Sequence, residues 1–156
     1  MAENLFQFTH LLAASIFIGT TIFVGFAMIP ALRKTLNDRD RMAFLSALGP
    51  RSRILMWVSI ALLFGTGLWR AWSLFGTPLM RTNYGSVLKI KIALAVLAAG
   101  LMALHDFILG PKMTAGDPGS PKYKSTRRWL IIASQVQLLV ILGVLWAAIR
   151  LRLYIW

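Results

Sequence analysis

Four long runs of apolar residues alternate with short polar segments along the 156-residue chain. The runs cover about residues 5–32, 54–75, 86–109 and 129–149, and each approaches or exceeds the roughly 20 residues that cross a hydrocarbon core. Their apolar positions are continuous rather than alternating, which disfavours the strands of a membrane barrel. The pattern therefore predicts an all-α fold, with residues 1–156 forming a single domain of four transmembrane helices.

Helix-breaking residues lie between the runs. Pro30 ends the first run, Gly49-Pro50 precedes the second, Gly76-Thr77-Pro78 follows it, and Gly110-Pro111 follows the third. Proline lacks the N–H group that a helix needs and restricts the residue before it. We therefore expect helices to end at these points, and residues 116–121 to form a loop by composition.

The charge distribution predicts the orientation of the helices. The chain is 58% hydrophobic and carries a net charge of +12, from 17 Lys and Arg against 5 Asp and Glu. Eleven of these cations lie in the segments after the first and third runs, and six lie elsewhere. The positive-inside rule then predicts that both segments are cytoplasmic and that the N and C termini lie outside. A lipid bilayer, and not nucleic acid, is the partner that this pattern favours.

Composition excludes several kinds of chemistry. The chain has no cysteine, which excludes disulfides, iron–sulfur clusters and covalent c-type haem attachment. No Gly-rich phosphate loop, nucleophile elbow or paired-carboxylate site is present, so no catalytic residue is predicted. A metal would have to be bound by His, Met, carboxylate or backbone oxygen.

Ionisable residues within the runs are functional candidates, because burying charge in a bilayer is costly. His10 and Lys91 are predicted to form an outer cofactor-binding site, with His10 ligating a metal or haem iron and Lys91 binding an anionic group. Lys91 and His105 lie about 21 Å apart along one helix, so the two histidines are not expected to clamp one haem. The alternative is that His10 is hydrogen-bonded at the interface and that the lysines extend to the headgroups.

A second candidate site lies toward the inner surface. Met102, His105 and Asp106 are close together on the third helix, and Met28 on the first helix and Met56 on the second are expected at similar depth. Thioether and imidazole groups suit Cu(I), so Met28, Met102, His105 and Asp106 join His10 as candidate metal ligands. The alternative is that the methionines fill packing gaps and that His105 pairs with Asp106 or a loop arginine.

Three stretches resemble the membrane domain of the copper-resistance protein D (CopD) family. The first runs from His10-Leu-Leu-Ala-Ala-Ser-Ile-Phe17-Ile-Gly19 to Pro30-Ala-Leu-Arg33, although Phe17 stands where the family usually has Trp. The second runs from Leu88-Lys-Ile-Lys91 to His105-Asp106-Phe-Ile-Leu-Gly110-Pro111, and Arg127-Arg128-Trp129 resembles the start of the family's last helix. The resemblance implies a multi-pass protein of the bacterial inner membrane that handles copper, in uptake, binding or tolerance.

Two other functions remain open. The chain is also similar in layout to the HemJ-type protoporphyrinogen oxidases, which would make it a membrane oxidoreductase or electron carrier with b-type haem. In that case His10 would be an axial ligand and Lys91 would bind a propionate. The short loops also allow a homo-oligomer or an accessory subunit of a larger membrane complex.

Overall fold

Helices account for nearly all of the computed structural model, which describes residues 2–117 and 120–153. In chain order the elements are α1 (Ala2–Ile22), a π-helical turn (Phe23–Met28), α2 (Ile29–Thr35), α3 (Asp38–Leu74), a 3₁₀ turn (Pro78–Arg81), α4 (Asn83–Ala103), a second π-helical turn (Leu104–Leu109), α5 (Gly110–Thr114) and α6 (Pro121–Leu153). No strand occurs in the described residues. Pro118 and Gly119 of the predicted loop lie outside these ranges.

Four continuous helical segments are long and apolar enough to cross a membrane. They are span 1 (Glu3–Thr35), span 2 (Asp38–Leu74), span 3 (Asn83–Met113) and span 4 (Pro121–Leu153). The predicted all-α fold with four transmembrane helices is therefore confirmed. The outside location of both termini stays a prediction, as does the treatment of residues 1–156 as a single domain.

The spans are longer than the apolar runs because polar residues cap them. At the start of α3, the Asn37 side-chain oxygen accepts a hydrogen bond from the Asp40 N–H at 2.9 Å. At the start of α6, the Ser120 hydroxyl accepts one from the Tyr123 N–H at 3.2 Å, and Pro121 occupies the first helical position. Each cap satisfies an N–H group that would otherwise lack a partner, so helices begin well inside the polar segments.

Helical structure does not end at Pro30 or Gly110-Pro111, contrary to the prediction. Immediately before each proline the backbone widens into a π-helical turn. Here the Ile29 N–H donates to the Val24 carbonyl, and the Gly110 N–H donates to the His105 carbonyl. A proline ring clashes with the carbonyl four residues earlier, and widening the turn is one way to relieve that clash. Both helices then continue, to Thr35 and Thr114.

Gly49-Pro50 also fails to mark a boundary, because α3 runs through Pro50. The carbonyl that loses its helical partner is that of Ser46, four residues earlier. Pro50 and Ser46 are both exposed, so solvent can replace the missing hydrogen bond. The Gly76-Thr77-Pro78 prediction is confirmed: α3 ends at Leu74, and Gly76 adopts a φ of 84° that favours glycine.

Residues 1–69 form one compact unit, which contains span 1 and most of α3. The rings of Phe6 and Trp69 stack with centroids 5.5 Å apart, and His10 contacts Thr66 one helical turn further in. The paired positions run in opposite directions along the chain, as expected for neighbouring helices joined by a short turn. Ala13, Phe17, Ser59 and Ile60 are the buried residues of this unit.

Residues 70–156 form the second compact unit, in which α4 and α6 pack closely against each other. Small residues allow this approach: a Cβ added at Gly143 would lie 3.2 Å from Leu94 Cδ1. At one end, Tyr84, Leu88 and Leu151 form a buried cluster. These pairings establish an antiparallel register between α4 and α6. The residue numbers of two positions that face each other add up to about 238.

Candidate functional site

His10 is half-buried in the first unit and is held by α3. Its Nδ1 atom lies 2.7 Å from Thr66 Oγ1, and its Cε1 atom would lie 3.5 Å from a Cβ at Gly67. The Thr66 hydroxyl donates its single hydrogen to the Leu62 carbonyl at 2.6 Å, so toward His10 it acts as an acceptor. In this arrangement a neutral His10 ring would donate from Nδ1 and carry its lone pair on Nε2.

Met28 lies at the end of the first π-helical turn and is half-buried. It is 18 residues from His10, which corresponds to about 27 Å along the helix. Met56 does not lie at its depth, contrary to expectation. Met56 falls in the middle of α3, which begins at Asp38. The Phe6–Trp69 and His10–Thr66 contacts put Met28 level with about residue 48 of α3, so Met56 lies roughly 12 Å from that level along the helix axis.

Lys91 lies on α4 in the second unit and is half-buried, whereas Lys89 is exposed. No described carboxylate forms an ion pair with Lys91. His10 and Lys91 belong to different units, and each is positioned within its own. Their assignment to one outer site stays a prediction.

Met102, His105 and Asp106 lie together where α4 passes into the second π-helical turn. The His105 Nδ1 atom is 3.0 Å from Asp106 Oδ1, and the two side chains are 36% and 14% exposed. An ionised carboxylate only accepts hydrogen bonds, so His105 donates its Nδ1–H to Asp106 and carries its lone pair on Nε2. Met102 is 4% exposed and lies three residues earlier, on the same face of the helix.

The π-helical turn determines where His105 lies. Its carbonyl accepts from the N–H of Gly110, five residues later, just before Pro111. Such turns are rare, and they occur frequently at functional sites because the extra residue changes the direction of the side chains around it. The local sequence therefore places a histidine–carboxylate pair at an irregular point in an otherwise regular membrane helix.

The two histidines share an arrangement that the sequence did not reveal. Each ring is held through Nδ1 by an oxygen acceptor, Thr66 Oγ1 for His10 and Asp106 Oδ1 for His105. In metal sites, an acceptor on one ring nitrogen fixes the tautomer and orients the other nitrogen toward the metal. The contact between His105 and Asp106 could be predicted because the two residues are adjacent in sequence. The contact between His10 and Thr66 could not, because they are 56 residues apart.

Sequence reasoning also missed the buried polar residues of the even-numbered spans. Ser134 and Gln135 in the fourth apolar run are both exposed, whereas Gln137 is only 8% exposed. The signal for Gln137 was its spacing from Ala133, Val140 and Ile141, which are buried on the same face of α6. In the register of the second unit, Gln137 lies at the level of Met102.

Across the described residues, no group of three or more His, Cys, Asp or Glu side chains could hold a metal ion. A metal at His105 would therefore need donors of another type. Thioether sulfur is the obvious choice, and Met102 provides it on the same helical face as His105. This donor set is better suited to Cu(I) than to a hard cation such as Mg²⁺.

The chain matches a known protein family over much of its length. The family model described as copper resistance protein D matches residues 46–151, which is more than half of the chain. The matched range contains Lys91, Met102, His105 and Asp106, whereas His10 and Met28 precede it. Searches of curated proteins and of solved structures found no match.

Proposed function

The chain belongs to the copper resistance protein D family, and from that premise we propose that it binds Cu(I) as cargo at His105 and Met102 on span 3. Family membership and the four apolar spans make it a multi-pass membrane protein of copper resistance. The observation that carries the proposal is the 3.0 Å contact between His105 and Asp106, which lies inside the matched range.

The chemistry of the pair favours a soft metal ion. Asp106 accepts from the His105 Nδ1–H, which orients the ring and presents Nε2 as a ligand atom. Met102 contributes a thioether that binds Cu(I) without bringing charge into the apolar interior. The carboxylate partly balances the positive charge of the bound ion, which reduces the cost of holding a cation in a membrane helix.

Copper binding to the purified full-length protein tests this site. Cu(I) is titrated under reducing, anaerobic conditions against a chelator of known affinity, and copper per chain is measured by mass spectrometry. His105→Ala and Met102→Leu should each weaken binding at least about tenfold, and Asp106→Asn about 10- to 100-fold, as for other outer-shell partners. Met56→Leu is the matched control and should bind as the wild type does. Wild-type affinity in His105→Ala would reject the proposal.

We further propose that copper crosses the membrane, with His10 as the residue that first receives it. His10 is held by Thr66 near the end of span 1 that is distant from the basic segment. The positive-inside rule predicts that this end lies outside. Proteoliposomes containing a Cu(I)-sensitive dye measure this step. His10→Ala should slow dye response several-fold while copper binding at His105 is unchanged. If proteoliposomes with the wild-type protein gave the same dye response as empty liposomes, the protein would bind copper without transporting it.

The same preparation tests the two other functions. A visible spectrum without a Soret band, from protein produced in haem-replete cells, is the expected result, and a Soret band lost in His10→Ala would favour the haem carrier. We place the protein in the bacterial inner membrane, because bacterial outer-membrane proteins are barrels rather than helical bundles. Native gels then distinguish a monomer or small homo-oligomer from a subunit of a larger complex.

A further inference from the structure

A cluster of three cations on one face of α6 makes no ion pair within the described residues. Lys124, Arg127 and Arg128 have the i, i+3, i+4 spacing of helical neighbours, and all three are exposed. Together with Ile131 and Ile132 they line a shallow groove of about 420 Å³, here called the basic groove. No carboxylate of the described residues lines it. Three like charges held close together repel one another, so the arrangement is stabilised by an anion.

A second groove adjoins the first and is entirely apolar. It has a volume of about 370 Å³ and is lined by Leu101, Leu104 and Leu109 of span 3 and by Trp129, Ile132 and Val136 of α6. Ile132 lines both grooves, so the two are adjacent. The residues of this apolar groove are centred roughly 6 Å further along α6 than those of the basic groove, toward the middle of the span.

We propose that the two grooves together form a binding site for an anionic phospholipid. The phosphate would lie against Lys124, Arg127 and Arg128, and one acyl chain would lie in the apolar groove between span 3 and α6. Trp129 follows Arg128 on α6 and lines the apolar groove, and indole rings favour the membrane interface. The order of charge, indole and hydrocarbon along α6 matches the order of phosphate, glycerol and acyl chain in a phospholipid.

Charge complementarity and the apolar groove together identify the ligand class. A soluble anion such as inorganic phosphate would use the cations but would gain nothing from a dry apolar groove. A neutral lipid would fill the apolar groove but would leave three cations uncompensated. Clusters of Lys and Arg at the membrane surface are a known way for membrane proteins to bind acidic headgroups.

Native mass spectrometry of the delipidated full-length protein in detergent tests the site. The probe is phosphatidylglycerol, with phosphatidylcholine of the same chains as the neutral comparison. The wild type should bind phosphatidylglycerol preferentially. The triple variant Lys124→Gln, Arg127→Gln, Arg128→Gln should bind it roughly 100-fold more weakly, at about fivefold for each cation removed.

Matched variants separate a built site from general electrostatics. Arg33→Gln, Lys34→Gln, Arg39→Gln removes the same charge from exposed positions elsewhere and should change the affinity less than about threefold. Lys124→Arg, Arg127→Lys, Arg128→Lys keeps the charge and should retain binding, which excludes misfolding as the cause. Equal losses in both glutamine triples, or no loss in the first, would overturn the proposal.

A further comparison distinguishes a phospholipid from a free phosphate compound. Glycerol 3-phosphate carries the phosphate without acyl chains and should not displace phosphatidylglycerol at equal concentration. Val136→Trp, at a half-exposed position of the apolar groove, should weaken phosphatidylglycerol binding although all three cations remain. Displacement by glycerol 3-phosphate, with full binding in Val136→Trp, would indicate a small-anion site and overturn the lipid assignment.

Discussion

At the scale of single residues, the structure shows how polar side chains are accommodated in apolar helices. Ser59, Thr21 and Ser134 each donate a hydrogen bond to a carbonyl of their own helix, which satisfies the hydroxyl locally. His10 is different, because its imidazole contacts Thr66 on a neighbouring helix. A polar residue that needs a partner from another helix contributes to packing specificity as well as to the site.

The His10–Thr66 contact should contribute measurably to stability. Thr66→Val removes the acceptor for His10 Nδ1–H and should lower the free energy of unfolding by about 0.6–1 kcal/mol, the range found for interhelical hydrogen bonds in membranes. Thr21→Val is the matched control, since its hydroxyl bonds only to Phe17 of its own helix. Unfolding in mixed micelles, followed by circular dichroism, gives both values. The same loss in both variants would contradict an interhelical role for Thr66.

At the scale of elements, spans 1 and 3 share a backbone arrangement that the sequence did not predict, because their prolines were expected to end the helices. In each, a π-helical turn ends just before an X-Pro pair, and a short helix follows. The proline lies 20 residues after His10 in span 1 and 20 residues after Lys91 in span 3. The two candidate outer residues thus occupy equivalent positions in the two odd-numbered spans, each in its own unit.

The start of α4 packs tightly against the 3₁₀ turn that precedes it. A Cβ at Gly85 would lie 2.1 Å from the Met80 carbonyl oxygen, in the 3₁₀ turn that precedes the helix. This distance is shorter than any contact between non-bonded carbon and oxygen atoms, and the obstacle is backbone rather than a flexible side chain. Close packing of α4 on the turn therefore requires glycine at position 85.

Two glycine substitutions on α4 should consequently have opposite effects. Gly85→Ala should lower the free energy of unfolding by about 3 kcal/mol, because the turn must move to admit the methyl group. Gly100→Ala meets no atom within 4 Å and should leave stability unchanged or raise it by up to about 1 kcal/mol. Thermal unfolding in detergent measures both. A tolerated Gly85→Ala would mean that the 3₁₀ turn does not pack against α4 in the membrane.

At the scale of the whole molecule, orientation determines how the proposed copper site is reached. With the basic segments inside, His105 lies toward the cytoplasm and His10 toward the outside. The prediction rests on eleven cations against six, a bias that membrane insertion reads strongly in short loops. Reversed orientation would place the His105 site at the outer surface and would reverse the proposed direction of entry.

Single cysteines measure the orientation directly, because the chain has none of its own. Asn83→Cys and Ser125→Cys both replace exposed residues at the starts of spans 3 and 4. A membrane-impermeant maleimide added to intact cells should label Asn83→Cys, and it should label Ser125→Cys only after permeabilisation. Labelling of Ser125→Cys alone in intact cells would show that the termini lie inside.

The sequence by itself determined the number of membrane helices, the absence of cysteine chemistry and the resemblance to the family that the comparison then confirmed. It could do so because hydrophobic length and short motifs are local properties of the chain. Helix ends were predicted poorly, because Pro30, Pro50 and Pro111 were assigned from proline's local preference alone. Only the tertiary structure decided that π-helical turns and exposed carbonyls accommodate them, that Thr66 holds His10, and that Gln137 rather than Gln135 is buried. Each of these depends on atoms that are distant in sequence and near in space.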